Sequence, residues 1–243
     1  MERQADPTPD PAVVSPTLLA VLESAARLQQ VVPDAVLVDG SAAALYAHHR
    51  DSLDHDYVLA DLKDRYAEVL EAVEVTDGWV TSVRASAPPM TLLGSLGGIE
   101  AGLRQLRRTR PLEVQEVDLN DAGVLRVPTT AETLRIKAYL VVQRNQTCDY
   151  LDVVALADRY GRDGAVGALL GLDGYYRDRS GSPDSVLTAL IQRLSEPNPR
   201  DQRVTTELAS YKGLAERWHR WSSVVAAAEQ LADALLDAVV ATS

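Results

Sequence analysis

Between positions 35 and 60 the chain sets an apolar run, a Gly-Ser turn, a short helical stretch and a second apolar run in immediate succession. The first run is Ala35-Val-Leu-Val-Asp39, the turn is Gly40-Ser41, and the second run is Asp54-His-Asp56-Tyr-Val-Leu-Ala60. This β–turn–α–β order brings Gly40-Ser41 and Asp54/Asp56 to one end of adjacent strands, where a sheet presents ligands. Two carboxylates at i and i+2 on a strand point to the same face and can hold divalent cations between them. A Gly-Ser turn opening a helix can lay backbone N–H groups against a nucleotide's phosphates. The two features together suit metal-assisted chemistry at a triphosphate.

Gly40-Ser41, twelve intervening residues and then Asp54-x-Asp56 is similar to the signature of DNA-polymerase-β-like nucleotidyltransferases. Downstream, Leu134-Arg-Ile-Lys137 through Arg144 to Asp149-Tyr-Leu-Asp152 resembles the Lys…Arg…Asp-x-x-Asp helical block of AbiEii/AbiGii-type nucleotidyltransferases. Many of those proteins are toxins of toxin–antitoxin or phage-defence pairs. The resembling segments cover residues 35–160, and the last third fits loosely. The resemblance implies an α+β fold: a polymerase-β-like core, with a mixed sheet and flanking helices, followed by a C-terminal helical lobe. It implies a reaction that moves a nucleoside monophosphate from an NTP to an acceptor with Mg²⁺ or Mn²⁺. It also implies an RNA acceptor, tRNA-like, and a cognate antitoxin as protein partner. Two alternatives stay open: an acceptor that is a small hydroxylated molecule such as an aminoglycoside, and a non-catalytic nucleotide-binding module.

The same resemblance distributes the roles. Asp54 and Asp56 are the expected catalytic pair and metal ligands, because hard oxygen donors suit Mg²⁺. A third carboxylate from another strand completes such sites; Glu116 and Asp118 share one strand face, with Asp118 placed in the metal set. Lys137 and Asp149 are expected to be catalytic and to face the same cleft as the aspartate pair. Gly40, Ser41, Arg50, Arg144 and Asp152 are expected around the nucleotide. Family members often carry a basic residue before the first acid of the helical block; here it is Cys148. His48, His49 and His55 cluster locally, yet their spacing supplies no second ligand group for zinc.

At 243 residues the chain is long enough for a substantial core. The expected division is a loose tail over 1–15, a core over 16–129 and a helical domain over 130–243. A net charge of −11 disfavours nonspecific binding to polyanions. Against it stand four arginines in Arg104-Gln-Leu-Arg107-Arg108-Thr-Arg110, readable as a solvated helix end or as a local track for triphosphate or RNA backbone. The single cysteine excludes an internal disulfide. No apolar stretch is long enough to span a bilayer and no leader pattern opens the chain, so no membrane is expected and a cytoplasmic location is the default.

Periodicity predicts a helix over 16–30, strands over 35–39 and 54–60, a helix over 62–73 and strands over 79–84 and 90–93. Gly94-Ser-Leu-Gly97-Gly98 reads as a strand-to-helix turn before a helix over 99–106. Residues 112–119 and 124–127 read as a hairpin. Beyond Pro128 the pattern is helical throughout, over 131–144, 148–160, 162–170, 184–195 and 201–239, the last broken near Ser222. Trp218, Trp221 and Tyr211 are expected to pack these helices.

Overall fold

A computed structural model describes residues 9–108, 110–176 and 185–242. Residues 1–8 of the expected tail, Thr109 of the arginine run and Asp184 at the expected helix start lie outside the described residues. The chain forms two compact units. One comprises Pro9–Leu45 and Asp51–Thr129; the other comprises Tyr46–Arg50 and the chain from Thr130 onward.

The first unit is built on a five-stranded mixed sheet. In chain order its elements are α1 (Pro16–Val31), β1 (Val36–Val38), α2 (Asp39–Ala47, whose last residues belong to the other unit), β2 (Asp54–Leu59), α3 (Tyr66–Glu74), β3 (Trp79–Thr81), β4 (Thr91–Leu96) and β5 (Ile99–Gln105). The strands lie in the order β1-β2-β5-β4-β3, with β2 and β5 parallel and the other pairs antiparallel. A second, two-stranded sheet pairs β6 (Val114–Asp118) with β7 (Val124–Pro128). The hydroxyl of Ser15 caps α1 by accepting the Leu18 N–H at 3.0 Å, which satisfies an otherwise orphaned donor. Along β2 every second side chain is buried: His55, Tyr57 and Leu59 turn inward, Asp54, Asp56 and Val58 outward. The inward face packs on α1, where the Tyr57 hydroxyl donates to the Ala25 carbonyl at 2.9 Å and Ser24 meets His55 at 3.1 Å.

The stretch expected as a strand-to-helix turn and helix is instead the β4–β5 hairpin. Gly97 and Gly98, at φ +60° and +86°, form a two-residue turn between paired Leu96 and Ile99. Both central residues of such a turn need positive φ, which glycine adopts without a steric penalty. Ala101, Leu103 and Gln105 are buried while Glu100 and Arg104 are exposed, the two-residue period of a strand. Arg104 therefore belongs to a strand rather than a helix end, and Arg107, Arg108 and Arg110 follow it outside any regular element.

The second unit is helical: α4 (Thr130–Gln143), α5 (Thr147–Tyr160), α6 (Arg162–Leu170), α7 (Val186–Ser195), the short α8 (Gln202–Thr205) and α9 (Trp221–Thr242). Leu134, Ala138, Leu151, Leu190, Leu194, Val224 and Leu235 are among its buried side chains. The expected long helix over 201–239 is corrected: between α8 and α9 the chain turns through Lys212 and Gly213, both at positive φ, a conformation no helix interior accepts. Trp218 is buried, and Trp221 meets Tyr150 edge-on at 5.9 Å.

Candidate active site

In the first unit the site is assembled by strand register. Val38 pairs with Asp56, and the chain leaves β1 through Asp39, whose φ of +59° turns it into α2. The left-handed residue is thus Asp39, and Gly40 and Ser41 lie in the first helical turn. Ser41 is buried and its hydroxyl donates to the Asp54 carbonyl at 2.6 Å, fastening the start of the helix to the start of β2. The Ser52 hydroxyl donates to the Asp54 carboxylate at 3.0 Å. Asp54 and Asp56 share the outward face of β2 and line a pocket of about 460 Å³.

Parallel pairing sets Glu100 opposite Asp54 and Gly102 opposite Asp56. Glu100, Gly102 and Arg104 line the same pocket, with Leu93, Val80 and Ala85 supplying apolar walls. Gly102 has a specific reason to be glycine. A Cβ there would lie 2.2 Å from Asp56 Oδ1 and 2.9 Å from Leu93 Cδ2, so the Asp56 carboxylate occupies the space a side chain would need. Arg104 Nη2 donates to Asp56 Oδ1 at 3.2 Å. Burial pushes the Asp56 carboxyl up to about 6; Arg104 opposes that rise, and the neighbouring charges of Asp39 and Asp54 add to it. Gly102→Ala is expected to evict the Asp56 carboxylate, lowering thermal stability by about 1–3 kcal/mol as overpacked sites do and weakening binding of any cation held by Asp56. Titrating Mn²⁺ into the variant alongside thermal melts checks both effects.

Asp118, expected as third carboxylate, and Glu116 stand on the exposed face of β6. The Asp118 carboxylate accepts the Asn120 N–H at 2.8 Å and stabilises the turn to β7; neither residue lines the pocket. The carboxylate that shares a face with the aspartate pair is Glu100. Among the described residues no group of three or more His, Cys, Asp or Glu side chains is gathered as a metal cage. Two hard carboxylates with room beside them still fit Mg²⁺, which keeps several waters and uses one or two carboxylates plus substrate phosphates.

The second unit gathers the other expected residues, together with two contributions from the 46–50 segment. Lys137 Nζ lies 3.3 Å from Asp149 Oδ1 and 2.8 Å from Asp152 Oδ2. Arg144 clasps Asp149 with two bonds, at 2.6 and 3.2 Å. Arg50 clasps Asp152 likewise, Nε to Oδ1 at 2.7 Å and Nη2 to Oδ2 at 2.9 Å. His49 Nε2 meets Asp152 Oδ1 at 2.7 Å. Burial lowers the His49 pKa more strongly than Asp152 raises it, so the ring is neutral and donates its Nε2 proton. Burial alone would raise the Asp152 pKa, yet Arg50 and Lys137 outweigh it and hold the carboxyl well below its ordinary value. Lys137, Asp149 and Asp152 are wholly buried, and Arg50 nearly so. In this structure Arg50 and Asp152, expected around a nucleotide, and Lys137, expected to be catalytic, are committed to one another in the interior, and only Arg144 reaches partial exposure. Burial pushes the neighbouring Cys148 thiol up to about 11, which leaves it protonated and unreactive near neutrality.

Comparison with known proteins places the chain only broadly. No family model matches it. It is 31% identical over 189 residues to the heme uptake protein MmpL11 of Mycobacterium tuberculosis, covering 74% of this chain and 19% of that protein. It is 38% identical over 97 residues to the mycolic acid-containing lipids exporter MmpL11 of Mycolicibacterium smegmatis, covering 40% and 10%. The chain spans about a fifth or less of the length of these curated relatives, and no described helix is long and apolar enough to cross a membrane. Among solved structures it is similar to JHP933 from Helicobacter pylori, at 14% identity and a TM-score of 0.47, covering 94% of this chain and 97% of that one. It is also similar to an antigenic nucleotidyltransferase-like protein from Paracoccidioides brasiliensis, at 14% identity and a TM-score of 0.45, covering 73% and 93%. Similarity at these TM-scores assigns no activity.

Proposed function

We propose that the chain is a metal-dependent nucleotidyltransferase that joins the nucleoside monophosphate of an NTP to an acceptor hydroxyl. The observation that carries this reading is the pair Asp54 and Asp56 on one strand face, lining a pocket of about 460 Å³, with the Asp54 carbonyl bonded to the Ser41 hydroxyl at the helix start. A bound divalent cation would supply charge neutralisation at the triphosphate. Asp54 and Asp56 would hold it, and the apolar wall of Val80, Ala85 and Leu93 is suited to a nucleotide's base or sugar. The acceptor oxygen bonds to the α-phosphorus as the bond to the departing pyrophosphate breaks, and the hydroxyl proton leaves to solvent water. Positioning and charge neutralisation account for most of the acceleration in such transfers.

The resemblance of the Lys137-to-Asp152 block supports an RNA acceptor and an antitoxin-type partner. A second acceptor class is favoured by a specific observation. Three carboxylates, Asp54, Asp56 and Glu100, face one arginine in the pocket, a balance suited to a small cationic hydroxylated molecule. Incubation with Mn²⁺ and α-³²P-labelled NTPs, against total RNA and against an aminoglycoside panel, separates the two. Label on RNA supports the first acceptor, and label on small cations alone supports the second. Absence of NTP binding by calorimetry, with metal present and the fold intact, overturns the enzyme reading.

A further inference from the structure

The reading above counts Arg104 only in the charge balance of the pocket, yet its guanidinium is the cation that Asp56 holds. The two side chains come from adjacent parallel strands, and Arg104 lies two positions beyond the glycine opposite Asp56. They meet over that glycine: the Cβ that Gly102 lacks would sit 2.2 Å from Asp56 Oδ1 and 3.4 Å from Arg104 Nη2. The contact is a single bond of 3.2 Å rather than a two-bond clasp. The arginine side chain is 45% exposed against 17% for the aspartate, so the guanidinium has open space beside it that the carboxylate lacks. Its partner is the same carboxylate that a divalent cation would need.

We propose that Arg104 is a displaceable counter-charge. It holds Asp56 while no divalent cation is present; once the cation takes the carboxylate, the guanidinium is released within the same pocket to bind the phosphates of the nucleotide. This deepens the nucleotidyltransferase reading and rests on it. A divalent cation and a guanidinium on one carboxylate repel each other, so occupancy by the cation drives the arginine off. A freed guanidinium presents a planar fork of donors that matches phosphate oxygens. The device couples the two ligands: the cation makes the arginine available, and the triphosphate then draws the arginine away from Asp56. Such coupling is reciprocal. Arg104 is accordingly a positioning residue for the nucleotide and a competitor for the metal.

The test measures binding to the full chain and needs no turnover. Mn²⁺ is titrated, by electron paramagnetic resonance or calorimetry, into wild type, Arg104→Gln and Asp56→Asn. A triphosphate with a methylene group between its α- and β-phosphorus is then titrated at saturating Mn²⁺. Arg104→Gln should bind Mn²⁺ alone roughly tenfold more tightly and the triphosphate roughly tenfold more weakly, within the usual range for coupled sites. A side chain that only supported the fold would not move the two affinities in opposite directions. If Mn²⁺ binding is lost in Asp56→Asn but unchanged or weakened in Arg104→Gln, the counter-charge role is overturned while the metal site stands. If Mn²⁺ binds neither wild type nor Arg104→Gln, with or without the triphosphate, the metal-site reading falls and this inference falls with it.

Discussion

Asp56→Ala is expected to lower nucleotidyl transfer by about a thousandfold while leaving the fold at least as stable at neutral pH. A metal's charge stabilisation is worth several kcal/mol of the barrier, and each 1.36 kcal/mol is about a factor of ten in rate. The stability half of the prediction follows from the sign of the pKa shift. The ordinary value is 3.8 and the folded value is about 6. A carboxyl raised in the folded state penalises folding as pH climbs through that window, with the full penalty present above it. Alanine removes this penalty. What is lost in exchange is one ion pair to an arginine that is 45% exposed, a class of contact with small net value. Initial rates with labelled NTP and thermal melts at pH 7 and pH 4 check both halves. Retained activity would remove Asp56 from the mechanism, and a large loss of stability at pH 7 would show that the carboxylate holds the strand instead.

Much of the first unit was legible because its pattern is local. The alternation Asp54, His55, Asp56, Tyr57 declares which face is wet and which is buried, and the structure keeps it. The hairpin from Thr91 to Gln105 mimics a helix in sequence because Ile99, Leu103 and Leu106 also recur at helical spacing. The deciding signal was Gly97-Gly98 between runs of alternating character, a stronger hairpin mark than the helical count. The rest of the pocket depends on that hairpin. Glu100, Gly102 and Arg104 acquire their positions from parallel pairing with β2, a register set across more than forty residues of sequence that no local period encodes. An isolated glycine inside a strand is a sequence mark of close approach, and Gly102 fits it, but only once β5 is recognised as a strand.

The buried network was legible in half. Lys137, Asp149 and Asp152 recur at spacings that return to facing helical surfaces, and Arg144 follows within reach. His49 and Arg50 were legible as chemistry but not as partners, since they join Asp152 from 103 and 102 positions away. Burial decides what such a group of charges does. A lysine at a nucleotide needs a path to it, whereas Lys137 is wholly enclosed by the carboxylates that neutralise it.

Asp152→Asn should therefore act on stability, with a loss of about 3–5 kcal/mol, the usual result of breaking a buried ion pair from one side. The asparagine keeps the shape but leaves Arg50 and Lys137 facing a neutral amide, with Asp149 already shared between Lys137 and Arg144. The pH dependence carries a second signature. A carboxyl held below its ordinary value of 3.8 stabilises the fold above that value, and the contribution is lost as pH falls through the folded value. His49, held below 6.5, adds an earlier loss: on acidification the unfolded chain takes up a proton that the buried ring refuses. His55, pushed down to about 4 by burial, adds to this earlier loss and Asp56, raised to about 6, opposes it. Wild type should weaken below about pH 6.5 less steeply than the two histidines alone would give and again below about pH 4, and Asp152→Asn should lose most of the later step. Urea unfolding at pH 7, 5, 4 and 3 reads both steps. A double-mutant cycle with Lys137→Met separates pair from background: if Asp152 and Lys137 act through each other, their losses will fall short of adding. Should Asp152→Asn cost less than about 1 kcal/mol at pH 7, typical of exposed pairs, the network is not what holds these helices together. Its charges would then be kept for a ligand.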